Sequence, residues 1–297
     1  MLVYLSFLRR LGLGFLLLLT LLSTRSDRPT YRLFTAAGRP ADYDKMLAQL
    51  AQADVVFFGE QHNDPIAHWL ELQVARDLAQ RKQGQLVLGF EMFERDVQPL
   101  VEQYNTGELT DQAFEADSRP WPNYATDYKP LLQLARQQKL RVVGTNVPRR
   151  YASQVAKGSL STLNSLPSAE KEWLAPLPIT VDFELPGYKN MQAMFGSDAA
   201  HAAGVQNIIQ AQALKDATMA HFIRQSRQPG QTMLHFNGSY HSDNHDGIVW
   251  YLKQAEPQLK ILTISTVSQE QLKKLDKDNL QKADYVLVVP ADMTKTY

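Results

Sequence analysis

Six short, continuously apolar runs divide this 297-residue chain, at residues 55–58, 86–90, 141–145, 232–236, 260–264 and 285–289, with longer helix-like stretches between most of them. A strand with one wet face alternates apolar and polar residues. Continuous runs of this length therefore predict strands buried on both faces, as in a parallel sheet held between helices. The strand–helix alternation is the signature of the same architecture. Helices are expected at residues 42–52, 66–83, 129–138, 204–227, 248–254 and 269–275. For the second of these, Asp64 suits the capping position and Pro65 the first turn, where a backbone N–H is not needed. Two stretches break the alternation, 94–127 and 147–203, the latter punctuated by Leu166-Pro167, Pro176-Leu177-Pro178 and Leu185-Pro186-Gly187. They read as helical insertions following strand ends. The expected fold class is α/β: residues 27–297 as a mostly parallel sheet flanked by helices, with a helical cap.

Ahead of this domain, Arg9 and Arg10 precede an apolar run at residues 11–22, followed by Ser23, Thr24 and Ser26. That layout predicts a secretory signal peptide over residues 1–26, or a retained membrane anchor if residues 2–8 join the apolar run across the arginines. Either predicts export, to the periplasm or cell envelope. The chain has no cysteine, which excludes disulfides, thiolate metal sites, a cysteine nucleophile and lipidation of an N-terminal cysteine, so it is not a lipoprotein. Lys and Arg together number 31, as do Asp and Glu. This even balance gives nucleic acid no electrostatic footing.

In parallel sheets, ligands bind beyond the carboxyl ends of the strands, and the polar residues of this sequence collect there. The expected strands run into Gly59-Glu60-Gln61-His62, Gly89-Phe90-Glu91, Gly144-Thr145-Asn146 and Asn237-Gly238-Ser239-Tyr240-His241. Two of these are Gly-x-x-His turns. Glu60, His62, Glu91 and His241 form the candidate catalytic set, and the same four could hold a divalent metal such as zinc or manganese, or act as acid and base without one. His68, Asp216 and Gln212 could face the same edge from helices. Arg149 and Arg150 could clamp a carboxylate or phosphate. Asp246 is read as a helix cap. The segment containing Tyr188, Met191, Met194, Phe195 and His201 is either ordinary core or the wall of a flat apolar ligand, with Tyr188 or His201 able to ligate iron.

At these residues the sequence resembles the ChaN-like haem-binding proteins of bacterial iron uptake, in a wider group with the Tiki metalloproteases and, more distantly, the erythromycin esterases. The matching stretches are Gly59 to Asp64 with His68, Gly89 to Asp96, Asn146-Val147-Pro148-Arg149, Asp216 to Ala220 and Asn237 to His241. The resemblance implies an α/β core with a helical cap that binds haem at or near the cell surface, as a homodimer enclosing haem and in partnership with an outer-membrane haem receptor. Haem ligation in that family is associated with tyrosine, which puts forward Tyr188 and Tyr240, with Arg149 and His201 beside them. Many members are lipoproteins, and here this chain departs from them. The related proteases use two Gly-x-x-His motifs for a divalent metal, and His62 and His241 occupy those positions. The alternative reading is thus a metal-dependent, peptidase-like hydrolase in which Glu60 or Glu91 shares coordination or activates water. No His-Glu-x-x-His helix is present, so such an enzyme would not be of the common zinc type.

Overall fold

The computed structural model describes residues 29–195 and 202–297, so the expected leader and His201 lie outside the described residues. Seven strands, β1 (Arg32–Thr35), β2 (Val55–Glu60), β3 (Leu86–Glu94), β4 (Arg141–Asn146), β5 (Thr232–Gly238), β6 (Ile261–Gln269) and β7 (Tyr285–Pro290), form one sheet in the order β1-β7-β6-β2-β5-β3-β4. Every neighbouring pair is parallel except β1–β7. The six expected strands are all present. β1 has no counterpart in the sequence reading, because its four residues open on exposed Arg32 and carry no continuous apolar run.

The helices are α1 (Tyr43–Leu50), α2 (Pro65–Lys82), α3 (Gln98–Thr106), α4 (Asp111–Asp117), α5 (Lys129–Gln138), α6 (Arg149–Gly158), α7 (Ser168–Lys171), α8 (Pro186–Met194), α9 (Ala202–Ser226) and α10 (Ile248–Ala255). They explain the continuous apolar strands. Along β2, Val56 and Phe58 pack with Leu47 of α1, Leu70 and Val74 of α2 and Leu131 of α5. Val55 and Phe57, on the opposite face, pack with Met219 and Ile223 of α9 and with Ile248 and Leu252 of α10. Each such side chain contributes roughly 1.5–3 kcal/mol on full burial, so a polar substitution on either face of β2 would be costly. α2 starts as expected: Asp64 Oδ1 accepts the N–H groups of Ile66 and Ala67, both at 3.0 Å, with Pro65 in the first turn.

Beyond β3, α3 and α4 lead into a π-helical turn, Tyr124–Tyr128, that returns the chain to the sheet end. Beyond β4, α6 packs Tyr151 and Val155 against Leu214 of α9, and α8 packs Tyr188 against Val205 and Ile209 of the same helix. α9 thus belongs to cap and sheet together. Among the described residues no helix is long and apolar enough to cross a membrane.

Two expectations are corrected. Residues 269–275 are not helical. β6 continues to Gln269, whose buried amide donates to the carbonyls of Gln271 and Lys274 and accepts from Asp276 N and Asn279 Nδ2. That side chain organises a loop where an apolar spacing suggested a helix. Asp246 does not cap α10, whose N-cap is Gly247; its Oδ2 instead accepts Gly187 N at 2.8 Å, fastening the start of α8 to the sheet end.

Candidate functional site

The two Gly-x-x-His turns end neighbouring parallel strands. β2 and β5 pair in register, Gly59 opposite Asn237 and Glu60 opposite Gly238. Each glycine makes room for the other turn. A Cβ on Gly59 would stand 2.9 Å from Ser239 Cα and 3.0 Å from the Ile264 carbonyl oxygen, and a Cβ on Gly238 would stand 2.7 Å from His62 Nε2. Side chains at these two positions would push the turns apart.

The histidines belong to two chains of polar contacts that approach each other at Gly238 and together make up the strand-end row. Glu60 is buried, and its Oε1 accepts from Tyr128 OH at 2.6 Å and from His62 Nδ1 at 2.7 Å. His62 therefore turns Nε2 toward Gly238 and Glu91. Its backbone carbonyl is held by Asn123 Nδ2 at 2.7 Å and His68 Nε2 at 3.1 Å. Glu91 Oε2 accepts Gly238 N at 2.7 Å, and Oε1 lies 3.2 Å from His241 Nε2. His241 Nδ1 donates to Asp216 Oδ1, whose other oxygen accepts from Tyr188 OH at 2.7 Å. Each imidazole has a carboxylate behind its Nδ1, the arrangement that fixes a histidine's tautomer and ring direction and leaves Nε2 for chemistry.

The charges follow from this order. Burial opposes a charge on His241, but Glu91 and Asp216 outweigh it and push its pKa up to about 10. Burial likewise opposes ionisation of Glu91, yet His241, His62 and the Gly238 N–H hold its carboxyl well below the usual range. His62 is raised too, burial being outweighed by its bond to Glu60 and by the charge on Glu91. Carboxylates and imidazoles therefore alternate along the row: Glu60, His62, Glu91, His241, Asp216. Such a row can hold a metal or transfer a proton, and its outer member His62, with 36% of its side chain exposed, is the point of access.

His62, Glu91 and His241 open on a cavity of about 240 Å³ walled by Trp121, Asn146, Val147, Arg149 and Lys215. Trp121 meets the His62 ring edge-on at 4.8 Å, and Asn146 Oδ1 is buried with no hydrogen-bond partner. A groove of about 530 Å³, bounded by Arg119, Pro120, Pro122, Arg150 and Ser153, shares Glu94, Trp121 and Arg149 with it.

The structure brings together His62, Glu91, His241, Asn146 and Arg149, with Asp216 behind His241 and the Gln212 amide against its ring. Glu60 is not beside Glu91. It lies on the Nδ1 side of His62, so the expected four-residue metal set does not converge on one point. Tyr188 is buried with its hydroxyl on Asp216, and the Tyr240 hydroxyl donates to the Gly187 carbonyl. Both tyrosines brace the cap where iron ligands were expected, because α8 folds back onto β5's end. His68 turns away from the cavity toward Glu71, and Arg150 pairs with Asp96.

Several contributors went unread. Trp121 and Asn123 sit in an insertion without periodicity, and Tyr128 reaches Glu60 across 68 positions. Glu71 had a signal, three residues after His68 on one helix face. His235, two residues before Asn237 on a buried strand, had one as well. Its Nδ1 donates to Asn237 Oδ1 at 3.0 Å, its Nε2 accepts from Thr145 Oγ1 at 2.7 Å, and burial lowers its pKa to about 4.

A sequence profile of the family described as haem-binding uptake, Tiki superfamily, ChaN matches residues 46–252, a span holding both Gly-x-x-His turns. The chain belongs to the ChaN family. Among solved structures, ChaN of Campylobacter jejuni, described by its cofacial heme binding, matches with a TM-score of 0.64 at 16% identity, over 88% of this chain and 97% of that one. A Bacillus cereus protein matches with a TM-score of 0.51 at 13% identity, over 88% and 95% of the two chains. An erythromycin esterase in its open conformation matches with a TM-score of 0.45 at 13% identity, over 81% and 77%. At these identities the first two likenesses show a shared ChaN fold. No curated protein matches the sequence.

Proposed function

We propose that this chain binds haem for bacterial iron or haem acquisition, after export to the periplasm or cell envelope. The observation that carries the reading is the family match over residues 46–252, which covers every strand end that builds the cavity. The residues present also fit the ligand. Haem asks for an iron ligand, apolar surface and cations for its two carboxylates. His62 is the partly exposed ligand-capable side chain at the cavity, Trp121, Pro120 and Pro122 supply apolar surface, and Arg149 and Lys215 supply cations. The Tyr128–Glu60 pair would hold the His62 ring in place. Bound haem would supply iron, and uptake asks of the protein only that the group be held and released. The Campylobacter jejuni protein is described by cofacial heme binding; carried to this chain, that arrangement needs a second haem, which a homodimer would provide. An outer-membrane haem receptor would then exchange haem with it.

The test is a haemin titration of the purified chain followed by its Soret band, with size measured by light scattering before and after. Saturation at low stoichiometry with conversion to a dimer is expected. Arg149→Ala should weaken binding roughly tenfold, since a charge-assisted hydrogen bond contributes about 1.5–3 kcal/mol. Haemin that binds without saturation, or equally well to His62→Ala and Arg149→Ala, sinks this reading.

A second reading has one observation in its favour: both histidines are oriented through Nδ1 by buried carboxylates and present Nε2 on the side of Glu91. A metal-dependent hydrolase would use His62, His241 and Glu91 in that way. A chain that ignores haemin but binds manganese or zinc, with the ion lost in the His62→Ala, His241→Ala double variant, would establish it.

A further inference from the structure

Behind the cavity wall lies a second polar cluster, closed to solvent, that shares only Glu60 with the strand-end row. Glu60, His68 and Glu71 are all buried, and each offers a ligand atom within 4.8 Å of the others. His68 Nδ1 lies 2.9 Å from Glu71 Oε2 and 3.6 Å from Glu60 Oε2. Two ligands held about 2.1 Å from one metal ion stand about 3.0 Å apart at a right angle and about 3.4 Å apart at a tetrahedral one, so these separations suit a small ion. Two buried acceptors, Glu60 Oε2 and Glu71 Oε1, have no hydrogen-bond partner. Carboxylate oxygens removed from water are rarely left so.

The remaining atoms are oriented as a metal's supporting shell would be. His68 donates its other ring nitrogen to the His62 carbonyl at 3.1 Å, which aims Nδ1 into the cluster. A backbone carbonyl in this role is common behind metal-bound histidine. Tyr128 and His62 both donate to Glu60 Oε1, so Oε2 is the oxygen left to ligate. Asp127 Oδ2, 3.4 Å from His68 Nε2, adds a third buried carboxylate, held by Asn123 and Thr296. Three buried carboxylates thus face His68 and, through Glu60, His62.

We propose that Glu60, His68 and Glu71 bind one divalent transition-metal ion, of the zinc or manganese class, as a structural site separate from the His62–Glu91–His241 row. One nitrogen and two carboxylate ligands disfavour calcium and magnesium, which prefer all-oxygen sites. The ion sits on the far side of Glu60 from His62. It therefore fixes the carboxylate that orients the His62 ring. The Asn123–Tyr128 turn and Thr296 close over the cluster, so loading requires that cover to open.

The test uses the full chain, stripped with a chelator and titrated separately with Zn²⁺, Mn²⁺ and Co²⁺. One equivalent of ion is expected, with a raised melting temperature and, for Co²⁺, visible d–d bands. Glu71→Gln keeps the side chain's shape and should weaken binding at least tenfold, whereas His241→Ala should retain the ion. X-ray absorption on the zinc-loaded wild-type chain needs no variant. It should show one imidazole and carboxylate oxygens at about 2.0–2.2 Å. A stripped chain that takes up no ion and melts unchanged overturns the proposal, leaving a proton shared between Glu60 and Glu71. An ion held by two imidazoles, or lost in His241→Ala and kept in Glu71→Gln, belongs to the strand-end row and overturns it equally.

Discussion

Replacing Glu91 with Gln removes one buried charge and almost no volume. Glu91 Oε2 accepts Gly238 N at 2.7 Å, and Oε1 faces His241 Nε2 at 3.2 Å. A glutamine keeps the first bond only by giving Gly238 its carbonyl oxygen, which turns its NH₂ toward His241 and forces Nε2 to lose its proton. The rise in the His241 pKa from 6.5 to about 10 corresponds to a preference for the charged imidazole on the order of 5 kcal/mol, at about 1.4 kcal/mol per unit. Glu91 and Asp216 share that preference. The variant should therefore lose roughly half of it, about 2–3 kcal/mol of stability at about pH 6. His241's folded pKa lies above its unfolded one, so its contribution is fully present below pH 6.5 and disappears as pH rises through about 10. His68, also raised to about 10 by groups other than Glu91, cancels in the difference, whereas His62, raised in part by Glu91, adds to the gap in the same direction. Urea denaturation of both proteins across this range should show the gap closing between the two pKa values. A variant as stable as wild type at about pH 6, or a gap that stays constant to alkaline pH, would refute the claim that Glu91 holds His241 charged.

Other perturbations follow from the same geometry. Gly238→Ala places a methyl 2.7 Å from His62 Nε2; the ring must swing out and lose its bond to Glu60, which should cost about 1–2 kcal/mol and weaken haemin binding, checked by thermal melts and Soret titration. Gly59→Ala meets backbone at Ser239 and Ile264, which cannot move as a ring can, so its melting temperature should fall further than that of Gly238→Ala. Tyr188→Phe should cost about 1 kcal/mol through the lost bond to Asp216 and leave the Soret band of bound haemin unchanged; a shifted band would restore Tyr188 as an iron ligand. His235, with a folded pKa of about 4 against 6.5, stays neutral where an unfolded histidine takes a proton, so stability should fall as pH drops from 6.5 toward 4. NMR titration of its ring should give that low midpoint.

The strands, and the gathering of polar residues at their carboxyl ends, were legible because both are local features of sequence. A strand buried on both faces must be apolar at every position, and Val55 to Phe58 are. A turn that brings a histidine to a strand end shows as Gly59 and His62, or Gly238 and His241, three residues apart. Long-range partners leave no such trace. Trp121, Asn123 and Tyr128 lie in an irregular insertion, and the sequence leaves Tyr188 as core residue or iron ligand, whereas only the tertiary structure places its hydroxyl on Asp216. The 269–275 helix failed because buried Gln269 bonds four neighbours at once, an interaction that periodicity does not register.

The amino-acid sequence by itself determined that the chain is an α/β sheet protein and that its polar residues gather at the carboxyl ends of the strands, since strand and turn propensities act over a few residues. It did not determine which strand ends meet. The sheet order puts β5 between β2 and β3. That alone brings Gly238 to Glu91, 147 positions away, and sets Gly59 against Ser239 and Gly238 against His62. Strand order is decided by the packing of whole helices on both faces. The row of alternating carboxylates and imidazoles and the buried Glu60–His68–Glu71 cluster therefore exist only in the tertiary structure.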